Sequence, residues 1–486
     1  MKMLRMLVLL LVAMAMESRA DVLDQLGSDV NKDGLNMDVL KYLDGLLESF
    51  SFDEKEDKET SDSVDRLKKL VRDALFLGLD NLEQQLESTR ELSRDPDTKR
   101  NVTELITSKG YSCEDHIAQT QDGYLLSLQR VGPNSTHGQQ FLNKTKPVVL
   151  LQHGLLDAST TWVINQADNS LGFMLADAGF DVWMSNSRGN TYSHANVNMN
   201  SRRRKFWDFS WDEMAKYDLP AVLDYVTEET NVSSIYYVGH SQGTLMAFTG
   251  FSQNHTLANK VKHIFALAPI SHAGHLKGPV RLVVPFHGIL YDFLNLAGID
   301  EVLPSNIITE DIGRTLCGTI PLVCELLTFS FAGVDFFAFN KSRADVFFSH
   351  FPAGTSLRDI NHWAQLIQSG DTQMYDFGWH DNQKHYGQHE APIYNITGLD
   401  IPVSLFSGGR DWLADPRDVD KLRQDINHTI VYDNTLDRFD HMDFVWGTTA
   451  KDRVYKEIIL QIRESEREQR DRHRGRNKRH PKNHES

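Results

Sequence analysis

The stretch Ser233-Ser-Ile-Tyr-Tyr-Val-Gly-His-Ser-Gln-Gly-Thr-Leu-Met-Ala-Phe248 decides how the rest of the chain is read. It opens with a short apolar run, Ile235 to Val238, with the length and the aromatic, β-branched character of a buried strand. Gly239-His-Ser-Gln-Gly243 follows, and then a run of small and apolar residues that reads as a helix. A G-x-S-x-G pentapeptide between a strand and a helix is a sharp turn that pushes its serine out at the top of a sheet. Bulkier residues at Gly239 and Gly243 would clash with the adjacent strand and helix. The following helix turns its free N–H groups and positive dipole end toward the serine, where an oxyanion would form. Ser241 is thus the candidate nucleophile. A chance pentapeptide in a loop is the alternative, and the flanking apolar run counts against it.

Upstream, Lys146-Pro-Val-Val-Leu-Leu-Gln152 reads as a buried strand running into His153-Gly-Leu-Leu156. Helices are expected near Ser170 to Ala178 and over Ser210 to Val226, with a strand at Phe180 to Ser185 between them. Ser210 and Glu213 have capping-box spacing. Alternating strands and helices imply parallel βαβ units, preceded by a hairpin around Gln121-Asp-Gly123. After the strand His263 to Pro269 the rhythm stops. Leu282 to Leu296, Leu316 to Phe331 and Thr355 to Ser369 look helical and rich in leucine and aromatics, as in a cap with an apolar inner face. A second packed helical subdomain without a ligand is the alternative. The rhythm returns at Ile401 to Ser407, followed by Gly408-Gly-Arg-Asp411-Trp-Leu-Ala-Asp415-Pro416, a helix, the strand Thr429 to Asp433, and Phe439-Asp-His441-Met-Asp443. The chain order serine, acid, histidine is that of α/β-hydrolases, whose strand-3 loop supplies a second oxyanion donor. The expected fold is therefore an α/β-hydrolase with a mostly parallel central sheet and an inserted helical cap. Asp411 directly follows the strand and glycines; Asp415 is the rival acid. Asp440 and Asp443 are too local to orient the His441 ring from behind, and read as surface or turn acids.

At 486 residues the chain has room for such a core and its cap. A formal net charge of -16 argues against nucleic acid as the partner. Arg202-Arg-Arg-Lys205 reads as a surface patch, with a processing site as the alternative. Met1 to Ala20 has the charged start, short apolar centre and small-residue end of a cleaved secretory signal, and is too short to span a membrane comfortably. No later stretch is long and apolar enough to span. Sequons at Asn101, Asn134, Asn143, Asn231, Asn254, Asn340, Asn395 and Asn427 fit passage through the secretory pathway. Cys317 and Cys324 are close enough in sequence to pair in an oxidising compartment, leaving Cys113 alone; three buried thiols are the alternative. No cysteine cluster has zinc spacing, and neither metal nor cofactor is expected. Asp29-Val-Asn-Lys-Asp-Gly34 fits the first half of a calcium loop, but Leu40 stands where the closing carboxylate belongs, so a polar helix start is the stronger reading. The resulting division is a signal at 1–20, an acidic and partly helical extension at 21–98, core at 99–271 and 396–463, a cap at 272–395, and a charged disordered tail at 464–486.

With these pieces placed, the chain resembles the acid lipase family, the gastric, lysosomal and secreted insect lipases. The resemblance rests on Leu151-Gln-His-Gly-Leu-Leu156, Ala176-Asp-Ala-Gly-Phe-Asp-Val-Trp183, Asn186-Ser-Arg-Gly-Asn190 and Asp212-Glu-Met-Ala-Lys-Tyr-Asp-Leu-Pro220. It extends through Tyr237-Val-Gly-His-Ser-Gln-Gly-Thr244, Phe351-Pro-Ala-Gly-Thr-Ser356 with His362-Trp363, Gly408 to Pro416 and His441-Met-Asp-Phe444, and covers roughly 103 to 460. It implies Ser241 as nucleophile, Asp411 as acid, His441 as base, and Leu155 and Gln242 as oxyanion-hole amides. Cys317 and Cys324 fall near the family's cap cysteine pair with shorter spacing, and Ala332 replaces a further cap cysteine. The implied activity is hydrolysis of neutral lipid esters by a secreted or lysosomal enzyme working at a lipid–water interface. A non-catalytic lipid carrier on the same fold, or a hydrolase of short esters, thioesters or peptides, is the competing expectation.

Overall fold

The computed structural model describes residues 95–134, 146–278, 280–296, 298–303, 340 and 343–479, all in the unit Asp95–Ser486. The expected signal, the acidic extension to residue 94 with its calcium-like loop, the basic residues after 479, Asn143, Cys317, Cys324 and the Phe329 to Phe339 cluster lie outside the described residues.

The strands in chain order are β1 (Tyr111–Gln119), β2 (Tyr124–Asn134), β3 (Val148–Gln152), β4 (Asp181–Ser185), β5 (Ala195–Asn196), β6 (Ile235–His240), β7 (Val261–Leu267), β8 (Glu301–Val302), β9 (Thr355–Ser356), β10 (Val403–Gly408) and β11 (Ile430–Leu436). The large sheet has the order β1-β2-β4-β3-β6-β7-β10-β11, with β5 paired to β2. From β4 to β11 all neighbours are parallel, while β2 pairs antiparallel with β1 and β4. Every residue of β3, β6 and β10 is buried, as expected for strands covered on both faces. The edge strand β11 instead alternates between half-buried and exposed positions over most of its length.

The chain leaves β3 toward β4 on one side and returns to β6 on the other. Strand order therefore reverses between β3 and β6, and in open α/β sheets a ligand crevice forms outside the carboxyl ends of the strands at such a switch. Ser241 follows β6 and the His153 loop follows β3, so both flank this crevice.

Some sequence expectations differ from the structure. Ser210 does cap a helix, with its Glu213 capping box formed, but Ser210 to Val226 is not one regular helix. A π turn at Met214–Asp218 separates Trp211–Glu213 from Leu219–Thr230. Pro220 has no N–H for the carbonyl of residue 216, and its ring crowds that carbonyl, so the turn widens. The second difference is the tail. The last helix runs Lys456–Arg479, through the first part of the segment from 464 where disorder is expected. Tyr236 binds Ser465 and Glu466 (3.0 and 3.1 Å), Lys262 pairs with Glu466 at 2.6 Å, and Arg472 pairs with Glu468 at 3.1 Å.

The segment that follows β7 is fastened to the core. His272 Nε2 meets Asp425 Oδ2 at 2.8 Å, His275 Nδ1 meets Asp418 Oδ1 at 2.7 Å, and Lys277 Nζ meets Asp415 Oδ2 at 2.7 Å. All three acids lie on or cap the helix Pro416–Asp425. Among the described residues no helix is long and apolar enough to cross a membrane.

Candidate active site

Ser241 sits between β6 and the helix Gln242–Gln253 with φ 54° and ψ −120°, a strained conformation for a residue with a side chain. The close packing expected of its neighbours is present. A Cβ on Gly243 would lie 2.6 Å from the Gln152 carbonyl oxygen, and one on Gly239 would lie 2.9 Å from the Gly243 backbone. The turn is closed by Thr244, whose amide and hydroxyl both donate to the Ser241 carbonyl at 2.8 and 2.7 Å. The helix behind it is buried from Gln242 to Ser252.

Asp411 and His441 come from two loops zipped together. The Arg410 amide donates to the Phe439 carbonyl at 3.1 Å, and a Cβ on Gly408 would collide with that same oxygen. His441 Nδ1 lies 2.9 Å from Asp411 Oδ2 and 3.1 Å from Oδ1. A carboxylate only accepts, so Nδ1 carries a proton, and in the neutral tautomer this selects, the lone pair is on Nε2. Asp411 Oδ1 also accepts the amides of Leu413 and Ala414 at 2.9 and 2.8 Å, which fix the carboxylate.

The rival, Asp415, is occupied elsewhere. It caps the helix Pro416–Asp425 and is bound by Arg417 and Lys277 at 2.9 and 2.7 Å. Burial pushes its carboxyl up, but these hydrogen bonds outweigh burial and bring it down to about 2. Asp440 and Asp443 cap their own turn: Asp443 Oδ2 accepts the Asp440 amide at 2.9 Å, and Asp440 Oδ1 accepts the amides of Met442 and Asp443. Both are buried, so they are turn acids rather than surface ones.

The β3 loop lies against the serine. A Cβ on Gly154 would sit 3.0 Å from the Ser241 Cβ. His153 holds this loop rigid: its Nδ1–H donates to the Gly154 carbonyl at 2.8 Å, and its Nε2 accepts the Ser187 amide at 3.0 Å. Burial keeps that imidazole neutral, with its pKa down to about 4. The carbonyl of Leu156, a residue with φ 58°, accepts the Ala353 amide at 2.6 Å, so the Phe351-to-Ser356 motif braces the Leu155 turn. Gln242 is the first residue of its helix, and its amide has no intrahelical acceptor.

Some residues that shape the site have roles the sequence reading did not give them. Trp363 Nε1–H donates to the Gln242 side-chain oxygen, tying the helix Leu357–Ser369 to the Ser241 turn. Its place in the His362-Trp363 motif was a signal without a mechanism. Arg188 is a buried cation gripped by Asp218 and Asp122 at 2.7 and 2.6 Å and stacked over Tyr124. This explains the Asn186-to-Asn190 and Asp212-to-Pro220 motifs as scaffold.

Among the described residues no His, Cys, Asp and Glu side chains group to hold a metal ion. Cys113 is a free thiol, pushed up to about 12 chiefly by burial. Asn101, Asn231, Asn254, Asn395 and Asn427 are exposed, and Asn340 is half-buried.

The strand order and the serine turn at its switch point define an α/β-hydrolase. Residues 147–448 match the family model described as alpha/beta hydrolase fold, and residues 102–166 match the partial alpha/beta-hydrolase lipase region. The chain is 40% identical over 372 residues to the gastric triacylglycerol lipase of Rattus norvegicus, covering 76% of this chain and 93% of that one. It is 41% identical over 376 residues to the lysosomal acid lipase/cholesteryl ester hydrolase of Homo sapiens, covering 76% and 92%. Lipase lipl-1 of Caenorhabditis elegans is 40% identical over 376 residues, covering 76% and 93%. The chain belongs to the acid lipase family of α/β-hydrolases.

Proposed function

We propose that the protein is a secreted or lysosomal serine lipase that hydrolyses the esters of neutral lipids, triacylglycerols or cholesteryl esters. The observation that carries this reading is the buried Asp411–His441 pair, held beside the strained Ser241 turn. The gastric and lysosomal relatives supply the substrate class. In this reading His441 Nε2 takes the Ser241 proton as Oγ bonds to the ester carbonyl carbon, and Asp411 stabilises the imidazolium. The amides of Leu155 and Gln242 receive the oxyanion, each donor contributing about 3 to 4 kcal/mol by mutational precedent. His441 returns the proton to the departing alcohol as its C–O bond breaks. Water then attacks the acyl-enzyme, again losing its proton to His441, and the fatty acid leaves as Ser241 regains its proton.

The leader at 1–20, the sequons and the Cys317–Cys324 pair belong to the same proposal, as features of an exported protein. The test is labelling of purified protein by a long-chain alkyl phosphonate, with rates on trioleoylglycerol, cholesteryl oleate and short-chain esters. Labelling at Ser241, loss of both labelling and turnover in Ser241→Ala, and preference for the long-chain esters are expected. Lipid binding without turnover would instead favour a carrier, and preference for short esters or thioesters the third reading.

A further inference from the structure

His240, the unspecified residue of the G-x-S-x-G pentapeptide, is buried at the end of β6, immediately before Ser241. Its Nε2 lies 3.0 Å from the backbone carbonyl oxygen of His441, and the two imidazole centroids are 5.0 Å apart. A carbonyl only accepts, so His240 Nε2 carries the proton and Nδ1 the lone pair. Nδ1 is buried with no hydrogen-bond partner among the described residues, and the space beside it is left by Gly154, where a Cβ would lie 3.2 Å away.

This arrangement answers a mechanical problem. His441 lies in the turn between β11 and the helix Asp443–Trp446. Its tie to Asp411 holds one ring nitrogen but does not hold the backbone that carries the ring. Productive proton transfer needs the other nitrogen placed within about half an ångström. A second hold, on the backbone of the same residue, fixes the point from which the ring extends. Because it comes from the residue adjoining Ser241, it references His441 directly to the serine's own strand.

We propose that His240 is a positioning residue for the acyl transfer: its Nε2–H grips the His441 carbonyl and sets the base against the nucleophile. The inference rests on the serine-lipase reading. The ring must also stay uncharged, since a cation 5.0 Å from His441 would oppose the imidazolium formed during the reaction. Burial satisfies this by holding His240 down to about 3, with the neighbouring His441 acting in the same direction.

The test compares His240→Gln, which keeps an N–H near the position of Nε2, with His240→Met, which has similar length and no donor. His240→Phe is a third variant that keeps the ring shape. The readouts are kcat and KM on p-nitrophenyl butyrate, the second-order rate of Ser241 labelling by a phosphonate, and the melting temperature. His240→Met is expected to lose about ten- to a hundredfold in both kcat and labelling rate, with KM within twofold, since small misplacements near the chemistry cost on this scale. His240→Gln is expected to recover most of that loss. Equal rates in Met and wild type, equal loss in Gln and Met, or a loss confined to KM would overturn the inference. If His240→Met does not fold, the Gln and Phe variants decide by the same criteria. A wild-type protein that neither labels at Ser241 nor turns over ester would sink the lipase reading itself, whereas a labelled wild type matched by His240→Met removes only the role of His240.

Discussion

Asp411 and His441 meet at 2.9 Å, and neither side chain is more than 3% exposed. The contact joins residues 30 positions apart, through two loops whose backbones touch at Arg410 and Phe439. In such a pair the carboxylate selects the tautomer of the ring as well as stabilising its charge.

Asp411→Asn should therefore lower kcat by about a thousand- to ten-thousandfold with little change in melting temperature. Asp415→Asn should do the opposite. It keeps the helix-cap acceptor but removes the charge from two ion pairs with half-exposed cations, costing about 1 kcal/mol of stability, while kcat stays within a few-fold of wild type. Steady-state kinetics and calorimetry on the two proteins separate the roles, and a reversal would move the acid to residue 415.

Gly243→Ala places a methyl 2.6 Å from the Gln152 carbonyl. Backbone has to move, and it moves where β3 and the serine turn are in contact. We expect loss of most activity together with a melting temperature lowered by several degrees, about 1 to 3 kcal/mol of overpacking. Unchanged thermal unfolding with full activity would show that the turn has slack.

Arg188→Met tests the scaffold. The substitution removes a cation and leaves Asp218 buried without its counter-charge, beside Asp122. Loss of one partner of a buried pair costs about 3 to 5 kcal/mol. Burial already pushes Asp218 up to about 6, against the pull of Arg188, and removing the arginine pushes it higher. Denaturant titration should show a large fall in the midpoint, smaller at acid pH where Asp218 takes up a proton.

Three further carboxyls, Asp157, Asp212 and Asp359, are pushed up to about 7 by burial, against the pull of their hydrogen-bonding neighbours. The unfolded chain releases these protons near pH 3.8, the folded protein near 7. The folded state thus holds more protons between these values, so the stability they contribute is complete below about pH 4 and is lost as pH rises through 7. Asp157 has no cationic partner among the described residues, and its Oδ1 accepts the Ala158 amide at 2.8 Å. Asp157→Asn keeps an acceptor there and cannot ionise. Its melting temperature should match wild type at pH 4.5 and exceed it at pH 8; a variant weaker by the same amount at both values would refute the assignment.

Much of this molecule is legible from local pattern. The central strands announce themselves as short apolar runs because both faces are covered, and the serine turn does so because glycines are forced there by contact with Gln152 and with each other. The position of Asp411 directly after a strand and its glycines, ahead of Asp415, points to it as the residue facing His441, and the two side chains are in contact. What the linear order conceals is contact at a distance. Nothing near Trp363 indicates that its N–H reaches the Gln242 side chain, 121 residues away, and nothing near Arg188 indicates the two acids that enclose it. The short strands β5, β8 and β9 were missed because two residues carry no periodicity. The final helix was mistaken for a loose tail because its anchors, Tyr236 and Lys262, belong to the sheet.

The triple fastening of residues 272–277 to the helix Pro416–Asp425 bears on how this protein can be cut. The Lys277 amide also donates to the Trp412 carbonyl at 2.8 Å, one residue beyond Asp411. A shortened chain trimmed after residue 271 would strip these props from the segment that holds Asp411. The workable excision point lies beyond 277: residues 272–277 are, in mechanical terms, part of the engine block.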